Sequence, residues 1–338
     1  MHILLLGGTR FLGRHVVAAL LAREHAVTLF TRGRSAPALF AQESRVTLVR
    51  GDRDGGLEAL DAATRGQRFD AVVDTCGYVP RVVAASCRLL RERAGLYLFV
   101  SSISAYARMN EPGMTEDAPL ALLDDPASED VAQHYGALKA ACEAVVQREF
   151  GAARALVVRP GLIVGPHDPS GRFTYWPLRL AAGGELLAPE PREAPMQLID
   201  VRDLADWLVS LLERRIAGVF NATGPQPPLR FDAMLAACAA CTASAARLVW
   251  VPASFLLEHK VAPWTELPLW LAGEEPGLAQ IDAGRALAQG LRLRELRETA
   301  ADTRRWVRDA GLPLASEAAG LRPEREAELL ASWRRSAG

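Results

Sequence analysis

The sequence predicts an α/β fold in which a doubly wound parallel sheet carries helices on both faces, with a smaller C-terminal region interleaved with it. Three observations carry that reading. An apolar run from Met1 to Leu6 meets the glycine pair Gly7-Gly8 and passes into Phe11 to Ala22, where Leu12, Val16, Val17, Leu20 and Leu21 fall at helical spacing. Short buried-type strands then alternate with helical patterns over short connections, as crossovers between parallel strands require. Finally, strand, glycine turn and helix together aim backbone N–H groups of a helix N-terminus at one point, where a pyrophosphate is held by dipole and hydrogen bonds. Gly7, Thr9, Arg10, Phe11, Leu12 and Gly13 are the candidate residues for that role, although Arg10 stands where the usual middle glycine would be.

Ala26 to Thr31 reads as a second strand, ending in Arg32-Gly33-Arg34. A dinucleotide fold that prefers NAD ends this strand on a carboxylate for the ribose hydroxyls. Here Thr31 and Arg32 offer positive charge instead, which suits a 2′-phosphate, and Arg10 can close on the same group as the second arm of an arginine fork. NADP(H) is therefore favoured over NAD(H). The competing reading is that these arginines are simply solvated, because 37 of the 39 basic residues are arginine and only Lys139 and Lys260 are lysine.

Arg45 to Arg50 forms a third strand, with Asp52 placed to reach an adenine amino group and Arg53 beside it. Phe69 to Asp74 is the fourth, followed by Cys76 and Gly77, which should border the nicotinamide side. Pro80 to Arg93 is a helix, and Leu96 to Ser101 a fifth strand that delivers Ser102 at its mouth. Asp125-Pro126 and Asp130 with Gln133 are both plausible starts for the next helix.

That helix contains Tyr135 and Lys139, four apart and so on one face. A free phenol has a pKa near ~10, too high for ready proton exchange at neutral pH. A nearby ammonium and an oxidised nicotinamide ring are expected to lower it, making Tyr135 an acid in carbonyl reduction and a base in alcohol oxidation. Ser102 can orient the same substrate oxygen, and Lys139 can bridge the nicotinamide ribose. With five tyrosines and two lysines, the spacing would arise by chance only about 0.03 times. His134 and His167 are weaker candidates for a further acid or base, since lone histidines are usually structural.

At this point the chain resembles the short-chain dehydrogenase/reductase superfamily, in its extended, epimerase-like branch. The resemblance rests on the glycine loop, on Ser102 in Ser-Ser-Ile-Ser-Ala-Tyr106 and on Tyr135-x-x-x-Lys139. It continues through Arg159-Pro-Gly-Leu-Ile-Val-Gly-Pro166, Ile199-Asp-Val-Arg-Asp-Leu-Ala205 and Phe220-Asn-Ala-Thr-Gly224. The Gly7-Gly8-x-x-x-x-Gly13 spelling is similar to an atypical subgroup whose members are labelled epimerase, reductase or RNA-binding protein. The resemblance implies a Rossmann-type fold, catalytic Ser102, Tyr135 and Lys139, and Pro160 to Ile163 packed beside the nicotinamide carboxamide. Two departures bear on substrate: Gly161 and Met196 stand where sugar-nucleotide enzymes typically carry an Asn and an Arg for the substrate pyrophosphate. Unless Arg172 or Arg179 substitutes, a dianionic substrate loses the charge-assisted bonds it needs.

A net charge of −1 with no basic block gives no invitation to nucleic acid or a membrane surface. No apolar run reaches transmembrane length, and a strand beginning at Met1 leaves no room for a leader, so a cytoplasmic protein is expected. The five cysteines read as reduced core residues, and the lone Cys238-x-x-Cys241 lacks a second pair for a metal, so no metal site is assigned. The domain reading is a dinucleotide-binding region over 1–165, rejoined by 197–224, and a substrate-binding or cap region over most of 166–338. In the latter, aromatics such as Phe173, Trp176, Trp250, Phe255, Trp264 and Trp270 are equally readable as a pocket wall and as core. Pro323 to Arg335 reads as an amphipathic helix for packing or association, a homodimer being possible.

The expectation is an NADP(H)-dependent carbonyl reductase or alcohol dehydrogenase acting on a small or medium, largely uncharged molecule. The alternatives are a sugar or sugar-nucleotide epimerase/dehydratase, and a non-catalytic RNA-binding or cofactor-sensing protein.

Overall fold

The computed structural model describes residues 1–273, 275–312 and 319–337. The chain divides into two compact units, one made of Met1–Gly161, Val201–Thr223 and Ile281–Arg292, the other of Leu162–Asp200, Gly224–Gln280 and Leu293–Gly338.

In the first unit the elements follow in the order β1 (His2–Leu6), α1 (Phe11–Ala22), β2 (Ala26–Thr31), β3 (Val46–Arg50), α2 (Glu58–Ala63), β4 (Phe69–Asp74), α3 (Pro80–Leu90), β5 (Ala94–Val100), α4 (Val131–Phe150) and β6 (Ala155–Pro160). A seventh strand, Gly218–Ala222, completes a sheet ordered Gly218–Ala222, β6, β5, β4, β1, β2, β3, in which every pair is parallel. This is a Rossmann-type α/β fold. Strand order reverses between β1 and β4, and right-handed crossovers then send α1 and α3 to opposite faces. The helix Val201–Glu213 packs beside α1, and α4 beside α3.

The strands are buried on both faces, which is why they read as unbroken apolar runs: Ile3, Leu4, Leu5 and Leu6 are all fully buried, as are Val72, Val73, Leu98 and Phe99. Several boundaries differ from the sequence reading. β3 starts at Val46, α3 ends at Leu90, and β5 spans Ala94–Val100. The Arg93 carbonyl is drawn to the sheet, accepting from the Phe69 N–H at 2.8 Å, which ends the helical ladder early. The short α2 leaves no mark in the sequence pattern: six residues are too few to show a helical period.

The second unit has its own core, built around Phe173, Trp176, Leu186, Leu187, Phe231, Met234 and Leu256. Its strands pair in twos: Glu185–Pro189 with Arg247–Val251 and Leu162–Val164 with Leu198–Asp200 are parallel, and Pro195–Met196 with Leu229–Arg230 is antiparallel. Phe173 and Trp176 are fully buried, and the Trp176 indole donates to the Pro268 carbonyl at 2.9 Å, so these aromatics serve the core. The C-terminal helix Pro323–Ala337 packs inward through Leu329 and Leu330. From it, buried Glu326 accepts from Arg179 Nε at 2.7 Å and from the Leu187 N–H at 2.9 Å. Arg179 is thereby committed inside this unit and is no stand-in for a missing substrate arginine. Cys238 lies buried in the helix Phe231–Ala239, and Cys241 turns its thiol onto the Cys238 carbonyl at 2.9 Å.

Candidate active site

The glycine loop joins β1 to α1. Gly7 and Gly8 have φ values of 99° and 104°, a left-handed region that side chains with a Cβ rarely adopt. Gly13 brings the helix down on the loop: a Cβ there would lie 2.5 Å from Gly8 Cα and 2.6 Å from its nitrogen. The cradle therefore exists because three positions carry no side chain. Arg10 is the helix N-cap and makes no side-chain cap, and the first turn holds no acidic residue, so the helix N-terminus keeps its positive field. These features fit a dinucleotide pyrophosphate. Phe11 opens the helix at a φ of 25°, strained for an aromatic residue. Leu12 is 7% exposed, so its side chain belongs to the core and only its backbone faces the loop. The Thr9 hydroxyl lies 3.5 Å from that of Thr31, tying the loop to the end of β2.

At the ends of β2 and β3, Arg32 and Arg34 approach the Asp52 carboxylate at 3.9 and 4.0 Å, and all three are exposed. Asp52 thus faces two guanidinium groups. The Arg53 side chain is committed to a buried partner. Its guanidinium turns under the sheet end and clasps Asp74 with bonds of 2.7 and 2.9 Å, with a further bond to the Ser86 hydroxyl at 2.9 Å. Asp74, fully buried, also accepts from the Tyr97 hydroxyl at 2.8 Å and from the Cys76 N–H at 3.1 Å. Burial would raise the Asp74 carboxyl, but the Arg53 guanidinium overrides it and holds the carboxyl below its ordinary value. A buried carboxylate needs such a partner, which explains why the arginine is spent there.

The Cys76-Gly77-Tyr78 loop that follows β4 is fixed from the other side by Lys139. Its Nζ donates to the Gly77 carbonyl at 2.8 Å and to the Val100 carbonyl at 2.6 Å, leaving one of three donor hydrogens. Lys139 is 3% exposed, and burial lowers its ammonium to about 8. The ribose-bridging role expected from sequence thus has a single N–H to work with.

Tyr135 stands one turn before Lys139 on α4. Asp130 caps this helix, accepting from the Ala132 and Gln133 N–H groups at 3.0 and 3.2 Å, so the later of the two candidate starts is the real one. The helix kinks at His134, whose φ and ψ of −119° and 27° are not helical. Gly136 lets the next turn approach the segment after β5: a Cβ there would lie 2.0 Å from the Ser104 carbonyl oxygen. The same turn sets Ser102 beside the Tyr135 phenol, where its hydroxyl favours the ionised form. Burial raises the Tyr135 phenol above its ordinary value and the Ser102 bond opposes that rise; the lowering expected from Lys139 does not appear. The ammonium is turned instead into the two carbonyls.

A second phenol escaped the sequence reading. Tyr78 is 45% exposed, its ring centroid is 6.4 Å from that of Tyr135, and the Lys139 ammonium lies 5.3 Å from the Tyr78 ring centre. Burial, and then the neighbouring Tyr135, push its phenol up to about 12. Its place directly after Gly77, already expected at the nicotinamide side, was the available signal.

Pro160 is buried at the end of β6, opposite Ala222. Ile163 belongs to the second unit, in register with Ile199. His167, also in the second unit, packs edge-on against Trp306 with ring centres 5.1 Å apart. Among the described residues no group of three or more His, Cys, Asp or Glu side chains is arranged to hold a metal ion. Among them, too, no helix is long and apolar enough to cross a membrane.

Comparison with known proteins places this architecture. The model of the NAD dependent epimerase/dehydratase family matches residues 3–223. Chloroplast stem-loop binding protein of 41 kDa b from Arabidopsis thaliana is 30% identical over 250 residues, 70% of this chain and 62% of that protein. The 2′-dehydrokanamycin reductase of Streptomyces kanamyceticus is 30% identical over 240 residues, 68% of this chain and 63% of the relative. The chain thus matches under two thirds of the length of either curated relative. Among solved structures, UDP-glucuronic acid 4-epimerase from Bacillus cereus, in complex with NAD, superposes with a TM-score of 0.67 at 15% identity, covering 91% of this chain and 97% of that one. WbmH from Bordetella bronchiseptica, in complex with NAD+, gives 0.68 at 16%, covering 92% and 99%. At those identities the likeness is one of fold. The family match spans the glycine loop, Ser102, Tyr135 and Lys139 together, and the chain belongs to the NAD dependent epimerase/dehydratase family.

Proposed function

We propose that the protein is an NADP(H)-dependent oxidoreductase that reduces a carbonyl of a small or medium, largely uncharged molecule, or oxidises the matching alcohol. The observation that carries this reading is Tyr135 one helical turn from a buried Lys139 whose ammonium holds the Gly77 carbonyl, with the Ser102 hydroxyl acting on the phenol. Gly7, Gly8 and Gly13 would hold the pyrophosphate, and Arg32, with Arg10, the 2′-phosphate. A bound reduced nicotinamide supplies hydride to a carbonyl carbon. Tyr135 delivers a proton to the carbonyl oxygen and Ser102 orients that oxygen. Lys139 fixes the loop after β4, and Cys76 and Gly77 lie on that loop. The name of the 2′-dehydrokanamycin reductase relative favours net reduction and a hydroxylated ring as the kind of substrate to try first.

A second reading, an NAD(P)-dependent sugar or sugar-nucleotide epimerase or dehydratase, is favoured by the names of the structural neighbours. Stoichiometry separates the two. Ketone-dependent loss of nicotinamide absorbance, one cofactor oxidised per product, is the expected result. Turnover with no net change in that absorbance would favour the epimerase. The stem-loop binding relative keeps a third reading testable: tight RNA binding at physiological salt, unaffected by Tyr135→Phe, would replace both.

A further inference from the structure

The sequence motifs leave one buried ion pair without a task. Glu143 follows Lys139 by one helical turn on α4, extending the series Tyr135, Lys139, Glu143. Its carboxylate is 1% exposed and pairs with Arg159 of β6, itself 3% exposed, through bonds of 3.0, 3.2 and 2.7 Å. A pair so deeply buried is costly to desolvate and is weak evidence for stability in itself, so its partners decide what it does.

Those partners sit at both ends of one segment. The Ser101 hydroxyl donates to Glu143 Oε1 at 2.5 Å. Arg159 Nη1 donates to the Tyr106 hydroxyl at 3.1 Å, and that hydroxyl donates to Asn221 Oδ1 at 2.7 Å. Between Ser101 and Tyr106 lies the 3-10 turn Ile103–Ala105, whose N-cap is Ser102, accepting from the Ser104 N–H at 3.1 Å. One guanidinium therefore grips the turn that carries Ser102 at its start, through Glu143, and directly at its finish.

We propose that Arg159 and Glu143 are positioning residues that hold the Ser101–Tyr106 turn so that the Ser102 hydroxyl meets the Tyr135 phenol. Neither touches a substrate; they act through Ser101 and Tyr106. The inference rests on the proposed role of Ser102 and Tyr135, so its test reads the phenol itself as well as the reaction.

Tyrosine labelled at the ring Cζ lets NMR follow the titration of Tyr135, identified by the signal lost in Tyr135→Phe. Ser102→Ala, which removes the hydroxyl, supplies the reference upward shift. Ser101→Ala and Tyr106→Phe each cut one arm without altering a charge. Each is expected to move the Tyr135 titration upward by part of the reference shift, and the double variant by more than either. Ser101→Thr, which keeps the hydroxyl, should restore the wild-type titration. In these variants the other groups at the phenol stay as they are: Tyr78 from the β4 loop, Lys139 on its own helix, and Arg10, whose charge reaches Tyr78. In turnover the expected signature is a several-fold loss of kcat with KM nearly unchanged. A Tyr135 titration unmoved in the double variant, whether or not its melting temperature falls, would overturn the proposal. A shifted titration with no oxidoreductase turnover in any variant or the wild type would leave the positioning intact and sink the reductase reading instead.

Discussion

Lys139 and Gly77 are joined by a 2.8 Å hydrogen bond from the buried ammonium to the main-chain carbonyl. The contact couples α4 to the loop after β4, and it sets a dependence of stability on pH. Burial lowers the ammonium to about 8 from 10.5. Between those values the unfolded chain holds a proton that the native chain has released, so the Lys139 contribution to stability rises with pH across that window. It is least favourable below it. The full swing is about 3 kcal/mol at 1.36 kcal/mol per unit. Comparing urea midpoints of the wild type and Lys139→Met over this range checks it: the difference should drift in favour of the wild type as pH rises. A constant difference would mean that the ammonium is not desolvated.

Gly136 is the point where α4 touches the turn after β5. A methyl group there would sit 2.0 Å from the Ser104 carbonyl oxygen and 3.0 Å from its carbonyl carbon, backbone atoms that cannot swing aside. Gly136→Ala should cost about 1–3 kcal/mol of stability. It should also cost more activity than stability, because the displaced helix carries Tyr135 away from Ser102. Calorimetry and turnover on the same sample check both halves, and full activity in a stable variant would show that the close approach is dispensable.

Much of this was legible in the chain because parallel strands buried on both faces leave unbroken apolar runs, and glycine loops and Tyr-x-x-x-Lys spacings are local. β2 and β4 fall where the runs at Ala26–Thr31 and Phe69–Asp74 put them, and β1 lies within the run from Met1 to Leu6. What escaped was set by long-range partners. Arg53 lies next to Asp52 in sequence, but its destination depends on Asp74, 21 residues further on. The direction of Lys139 depends on carbonyls of two other strands' ends, so helical spacing from Tyr135 could place its Cα and not its ammonium. Glu143 was within reach of the same periodicity argument, extended by one more turn. The return of Ile281–Arg292 to the first unit leaves no periodic mark at all.

Cofactor choice turns on the ends of β2 and β3. Arg32 and Arg34 are exposed, sit within 4.0 Å of Asp52, and meet no carboxylate at the end of β2 itself. Arg32→Ala and Arg10→Ala should weaken NADPH by about 10- to 100-fold, the worth of one or two charge-assisted hydrogen bonds. NADH should change far less. Fluorescence titration of each variant with both cofactors is the measurement, and equal losses for the two would remove the phosphate-clamp assignment.

Removing the Asp74 charge tests whether the buried Arg53 pair holds the β4 end together. Asp74→Asn leaves a buried guanidinium without its carboxylate and should cost about 3–5 kcal/mol. The Asp74 carboxyl is held below its ordinary 3.8, so the pair's stabilisation is present above that value and is lost as pH falls through the lower native one. Acid titration followed by circular dichroism should therefore show a loss in the wild type that the variant lacks. Because Cys76 hangs from Asp74 through its N–H, the variant should also bind cofactor less tightly where it remains folded.

The direction of the Tyr135 shift sets the pH behaviour of the reaction. Burial raises the phenol above its ordinary value and the Ser102 hydrogen bond pulls against that rise. The proton needed for carbonyl reduction is then present throughout the neutral range, so the reduction rate should be level there and fall only in strong alkali. Alcohol oxidation needs the phenolate, and its rate should climb with pH over the same interval. Ser102→Ala removes the opposing bond and should carry the oxidation profile to still higher pH, in addition to lowering its ceiling. Tyr135→Phe should cut kcat in both directions by about 10²–10⁴-fold, the usual worth of a positioned acid or base. An oxidation profile centred below the ordinary phenol value would mean that a positive charge, the oxidised nicotinamide ring or a Lys139 ammonium released from its two carbonyls, acts on Tyr135 during turnover.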